Sequence, residues 1–144
     1  MLVCKCPALC PARVGIRRLL FLVCLSVVTG CAFDVSYVRT TPVTFTAQSD
    51  CAKPWVLQRP ESVGVGSGFA TFLKPGTSWH CLGSVPMGQV FATRDQIVTV
   101  EASNIYEAQL VVSDGRLVGF YLPVDRAFVA VNPPVSLQVE EKQP

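Results

Sequence analysis

Residues 108–122 read Ala108-Gln109-Leu110-Val111-Val112-Ser113-Asp114-Gly115-Arg116-Leu117-Val118-Gly119-Phe120-Tyr121-Leu122. Asp-Gly lies between two runs of β-branched, aliphatic and aromatic residues. That dipeptide tolerates the positive φ angles of a type I′ turn, so it predicts a two-residue hairpin. In that register Val112 opposes Leu117, Val111 opposes Val118 and Leu110 opposes Gly119. Side chains alternate between faces along a strand. One face then carries Leu110, Val112, Leu117 and Tyr121, and the other Val111, Val118 and Phe120. Apolar residues on both faces admit two readings. A central hairpin covered on both sides is the more common arrangement. The other is an exposed apolar strip formed by Val111, Val118 and Phe120 that docks a partner.

Working outward, the same vocabulary recurs. Val43-Thr44-Phe45-Thr46 reads as a first strand, and residues 48–68 read as irregular, with Pro54, Pro60 and Gly64-Val65-Gly66-Ser67-Gly68. The glycine run lacks a strand–helix setting, so it is not a phosphate cradle. Phe69 to Leu73 reads as a strand stopped by Lys74-Pro75-Gly76, and Trp79 to Leu82 as a short strand ended by Gly83. Pro86-Met87-Gly88 marks a turn. Gln89 to Thr93, Gln96 to Glu101 and Ile105 to Val112 follow as strands. Val124 to Val131 is expected to hold a helical turn or an irregular crossover, Asn132-Pro133-Pro134 to punctuate, and Val135 to Val139 to form the last strand. No segment sustains helical periodicity with caps. Strands at 8–12-residue spacing predict an all-β, single-domain β-sandwich, with an SH3-like or other small β-barrel as the alternative. The expected β-domain spans residues 42–139, followed by a tail at 140–144.

Charge divides the chain of 144 residues. Its overall +2 comes from 12 Lys and Arg against 10 Asp and Glu. Lys5, Arg13, Arg17 and Arg18 face no acid in residues 1–30, which leaves 8 basic and 10 acidic residues, a net −2, in residues 31–144. A basic stretch followed by Leu19-Leu20-Phe21-Leu22-Val23-Cys24-Leu25-Ser26-Val27-Val28 has the form of a secretory signal. The apolar run is shorter than the ~20 residues a spanning helix needs. It closes on Val28-Thr29-Gly30-Cys31. This resembles the lipobox of bacterial lipoproteins. The resemblance covers residues 14–31 and implies lipid attached to the Cys31 sulfur, cleavage between Gly30 and Cys31, and acylation of the new N-terminus. Residues 31–41 then serve as lipidated N-terminus and tether. Ala32 in place of Asp implies sorting to the outer membrane in a Gram-negative cell. Initiation at Val14 would leave a compact leader and make residues 1–13 a spurious extension. Cys4, Cys6 and Cys10 offer three sulfurs where a structural zinc site wants four, so no metal is expected.

Four of the seven cysteines lie in the leader and one is the lipid site, which leaves Cys51 and Cys81. An even remainder in an exported chain predicts a disulfide between them. Trp55, close by, either anchors a partner from the 53–68 loop or plugs the core beside Cys51.

Catalytic constellations are thin. His80 is the single histidine, and on a strand it and Cys81 point to opposite faces. Glu101 and Glu107 fall in strands, which admits a facing arrangement like that of paired carboxylates, although charges on an exposed strand face are far more common. No nucleophile–base motif is present. The low basic content excludes nucleic-acid binding through phosphate neutralisation. The expectation is therefore a non-enzymatic, cofactor-free envelope lipoprotein. It is held to the membrane by its lipid, on the periplasmic face of the outer membrane, and binds or braces another envelope protein. The alternative is a lipidated inhibitor of a cell-wall enzyme or a small-ligand binder. Lipidated lysozyme inhibitors are similar in size, β content and disulfide, but their motif is not found here.

Overall fold

The computed structural model describes residues 38–49, 51–66, 68, 70–101 and 104–142. Among these every regular element is a strand: β1 Thr40–Pro42, β2 Thr46–Ala47, β3 Trp55–Leu57, β4 Glu61–Val63, β5 Thr71–Leu73, β6 Ser78–Val85, β7 Gly88–Thr93, β8 Thr99–Glu101, β9 Ile105–Glu107, β10 Gln109–Ser113, β11 Arg116–Leu122, β12 Ala127–Ser136 and β13 Val139–Glu141. The proposed signal segment, Gly30, Cys31 and most of the tether lie outside the described residues.

The hairpin that the Asp-Gly signal predicts is β10–β11. Asp114 and Gly115 have φ of 50° and 72°, the doubly positive combination that type I′ demands and that a residue without a Cβ adopts at no steric cost. Val112 opposes Leu117 as expected. One residue further the ladder slips: Val111 opposes Gly119 and Leu110 opposes Phe120, with a bulge that leaves Val118 unmatched. A one-residue slip reverses which face each later side chain takes. Phe120 therefore joins Leu110, while Tyr121 joins Val111, which corrects the expected face assignment.

This hairpin sits in the middle of a nine-stranded antiparallel sheet of order β1-β12-β11-β10-β7-β6-β3-β13, with β2 also on β6. Two small hairpins, β4–β5 and β8–β9, form separate sheets. The fold is thus a small all-β domain of three sheets, and among the described residues no pairing joins the ends of the strand order. The sheet is strongly curled. β1 and β2 are joined by Val43-Thr44-Phe45, yet they pair with β12 and β6. In a flat sheet that separation is six strand steps of ~4.8 Å, about 29 Å. The four residue steps from Pro42 to Thr46 reach only ~14 Å.

Register sorts the core into two clusters on opposite faces. Cys81, Phe91, Leu110, Phe120 and Val129 are paired in succession across five strands. They belong to the larger cluster, which also holds Val38, Trp55, Leu57, Leu73, Trp79 and Val100. On the other face lie Val85, Val90, Val111, Tyr121 and Phe128, with Val43, Phe45, Met87 and Val118 packed against them. At ~25 cal/mol per Å² of apolar area, burying both faces of the central strands is what stabilises a domain this small.

Several sequence expectations need correction. The 53–68 stretch is not one irregular loop, because it holds β3 and β4. Residues 105–112 do not form one strand. They divide at Ala108, whose N–H donates to Val98 O (2.9 Å), so β9 and β10 serve different sheets. Gln96-Ile97-Val98 is not strand. The 124–131 crossover is a tight turn, with Leu122 opposite Ala127. β12 then runs through Asn132-Pro133-Pro134, which stand out as a bulge between the pairs Gly119–Ala130 and Leu117–Val135. Prolines lack the N–H a ladder needs, and Arg116 Nη2 donates to Pro134 O (2.9 Å) beside the gap. The first strand is Thr40–Pro42, not Val43–Thr46, and the last, Val139–Glu141, lies partly in the supposed tail.

Candidate interaction surfaces

Cys51 and Cys81 form a disulfide with Cα atoms 5.7 Å apart. Cys81 lies on β6 at the edge of the larger cluster, and Cys51 sits just before β3. The bridge therefore fixes the chain entering β3 to the strand β3 pairs with. Directly beyond it, Trp55 opposes Trp79 across the ladder. Their rings stack at 5.5 Å, and Trp55 meets Phe91 at 5.4 Å. The Trp79 indole N–H donates to Thr77 Oγ1 (2.8 Å), which donates to Lys74 O (2.8 Å). Ser78 Oγ, next to Trp79 on β6, is buried without a hydrogen-bond partner.

Trp55 is consequently a core plug and not a partner anchor, since it is 7% exposed. The exposed strip of Val111, Val118 and Phe120 does not exist either. Val111 and Phe120 have no exposed surface, they lie on opposite faces, and Val118 is half-buried. The central hairpin is covered on both sides. Glu101 and Glu107 are not a facing pair: Glu101 opposes Ile105 and Glu107 opposes Thr99. His80 opposes Ala92 and lines a shallow concavity with Leu82, Thr93 and Arg94. Among the described residues no group of three His, Cys, Asp or Glu side chains converges as a metal site would require.

Surfaces the sequence reading did not single out lie elsewhere. Phe72 on β5 and Ile97, just before β8, are 54% and 81% exposed and line one open depression with Lys74, Gln96 and Glu101. Gln96 holds that rim together. Its Oε1 accepts from Lys74 N (2.8 Å) and its Nε2 donates to Phe72 O (3.0 Å), in the manner of a neighbouring strand. Thr71 Oγ1 donates to Thr99 O (2.7 Å) to join the hairpins.

A second surface is the segment from Thr40 to Gln48. Its strand residues are all exposed, and only Val43 and Phe45 turn inward. Phe45 stacks on Tyr121 at 5.2 Å. The segment approaches β6 closely at Gly83 (φ 155°), where a Cβ would meet Thr46 O and the Phe45 ring. The β-branched and aromatic run at 43–46 reads as one strand, whereas Val43-Thr44-Phe45 is the link between two short strands on different edges; no local pattern encodes which edges such a segment serves.

No protein-family model matches the chain, and neither a curated protein nor a solved structure matches it.

Proposed function

We propose that the chain is a membrane-anchored envelope lipoprotein whose β-domain works as a non-catalytic binding or structural module. The observation that carries this reading is the Cys51–Cys81 disulfide. It uses both cysteines that follow Cys31 in the sequence, and disulfides persist in compartments outside the cytosol. Cys31 then remains for the lipid that its lipobox setting implies. Several acyl chains at ~0.8 kcal/mol per buried CH₂ hold a protein firmly at a bilayer. Ala32 supports the periplasmic face of the outer membrane as the location. The partner is an envelope protein, and the exposed Phe72–Ile97 rim supports docking over enclosure of a small ligand. The finer architecture is read as a sandwich with one layer rolled towards a barrel, which the two opposed core clusters support.

The test is the intact mass and membrane fractionation of the wild type and a Cys31→Ser variant. The wild type is expected to lack residues 1–30, carry acyl mass and sediment with membranes, while the variant is soluble. A wild type that is acyl-free and fractionates like the variant refutes the anchoring.

A further inference from the structure

The segment from Thr40 to Gln48 is lightly held in the central sheet. β1 contributes three registered pairs to β12 and β2 two to β6. Val43 N–H donates to Arg126 O (2.9 Å) and Gln48 N–H to Leu82 O (3.0 Å). Every β1 and β2 residue is solvent-exposed. Local opening favours such segments, with few buried apolar contacts and exposed backbone hydrogen bonds. Under it lies the smaller cluster of Val85, Val90, Val111, Tyr121 and Phe128. Just past its end stands Cys51, bonded to Cys81 on β6, the strand that β2 pairs with. On its other side Val38 is buried in the larger cluster, so an opening of residues 40–48 is bounded by Val38 and by the disulfide.

We propose that residues 40–48 are a displaceable strap hinged at the Cys51–Cys81 bridge. The groove the strap vacates is the acceptor site for an extended strand of a protein partner. Displacement bares backbone groups on β6 at Gly83 and Ser84 and on β12 at Ala127 to Val129. An incoming strand re-pairs them by β-augmentation. The strap's own pattern defines what fits. Val43 and Phe45 are two positions apart, Phe45 stacks on Tyr121, and residues 40–48 carry no charge. The matching strand is uncharged, with an aliphatic residue and then an aromatic one separated by a single residue. The partner role rests on the binding-module reading, whereas the strap and hinge need neither lipid nor membrane.

The test uses the mature, oxidised protein and, as probe, a nine-residue peptide with the sequence of residues 40–48. In native-state hydrogen exchange the Val43 and Gln48 amides are expected to exchange at least about a hundredfold faster than those of Leu110 and Phe120. A Thr46→Cys/Ser84→Cys variant, at directly opposed positions, pins the strap and brings it to core protection. The peptide is expected to shift the Tyr121 ring resonances of the wild type. It should bind about tenfold more tightly to Phe45→Ala, whose own strap has lost its stacking contact, and not to the pinned variant. Strap amides as protected as the core overturn the hinge. Peptide binding that is absent from the wild type, or insensitive to the pin, overturns the acceptor site. The wild type against the pinned variant decides the matter even if Phe45→Ala does not fold. A protein that proves acyl-free but passes these tests loses its anchor and keeps its strap.

Discussion

Reducing the Cys51–Cys81 bond gives the sharpest thermodynamic test of the fold. The two cysteines are 30 residues apart in sequence. In the chain-entropy description, closing a loop of that length removes about 12 cal/mol/K from the unfolded ensemble, or about 3.6 kcal/mol at 25 °C. Small domains have total stabilities of about 5–15 kcal/mol, so the bond contributes a large share. The bridge also shortens the path between β3 and β6, whose Trp55–Trp79 pair fills one corner of the larger cluster. The assay is urea unfolding of the mature chain carrying Cys31→Ser, with and without a thiol-free reductant, followed by tryptophan fluorescence. Both indoles are buried and report directly. At a slope of about 1.3 kcal/mol per M, reduction is expected to lower the midpoint by about 2–3 M. Cys51→Ala/Cys81→Ala should match the reduced protein to within about 1 kcal/mol, the cost of the smaller Cys81 side chain. A loss below about 1 kcal/mol, or two freely alkylated thiols in the native protein, refutes the reasoning.

Phe120→Ala is expected to cost about 3–5 kcal/mol in chemical denaturation, because the ring is fully buried in the cross-strand ladder. Phe72→Ala, at an exposed rim, should change stability by less than about 0.5 kcal/mol. Gly119→Ala should cost more than about 2 kcal/mol, since a Cβ there meets Val129 O and the Phe128 ring. A thermal melt of that variant superimposable on the wild type contradicts the β11–β12 register. Asp95→Ala is expected to cost about 1–2 kcal/mol in the same denaturation assay, because its carboxylate accepts the Ser78 N–H at 2.7 Å.

How much of this was legible in the sequence depended on whether the deciding physics was local. Asp114-Gly115 dictates its own turn, and the Val112–Leu117 pair followed from it. The turns at Lys74-Pro75-Gly76 and Pro86-Met87-Gly88 were likewise readable, because Pro and Gly constrain the backbone wherever they stand. Val118 was not. Nothing in Leu117-Val118-Gly119 says that one residue will be left out of the ladder, and that omission moved Phe120 and Tyr121 to unexpected faces. The same limit applied at β12. Two prolines signal an end to local pairing, yet the strand on both sides continues because Gly119–Ala130 and Leu117–Val135 are fixed by tertiary packing. Trp55 illustrates the problem for sites. A tryptophan in a proline-flanked stretch reads equally as anchor or plug, and only its partner Trp79, on a different strand, decides. The Cys51–Cys81 pair was accessible because counting suffices.

The last described strand, β13, closes against β3, and their Lys53–Glu141 ion pair (3.1 Å) links residues 88 apart in the chain. β12 likewise completes the edge at β1. A polypeptide threaded through a narrow pore with its N-terminus leading has neither partner available until its tail has emerged. Such distant pairings also form slowly. On the proposed export route the domain would therefore close its two edges only after both β12 and β13 have emerged.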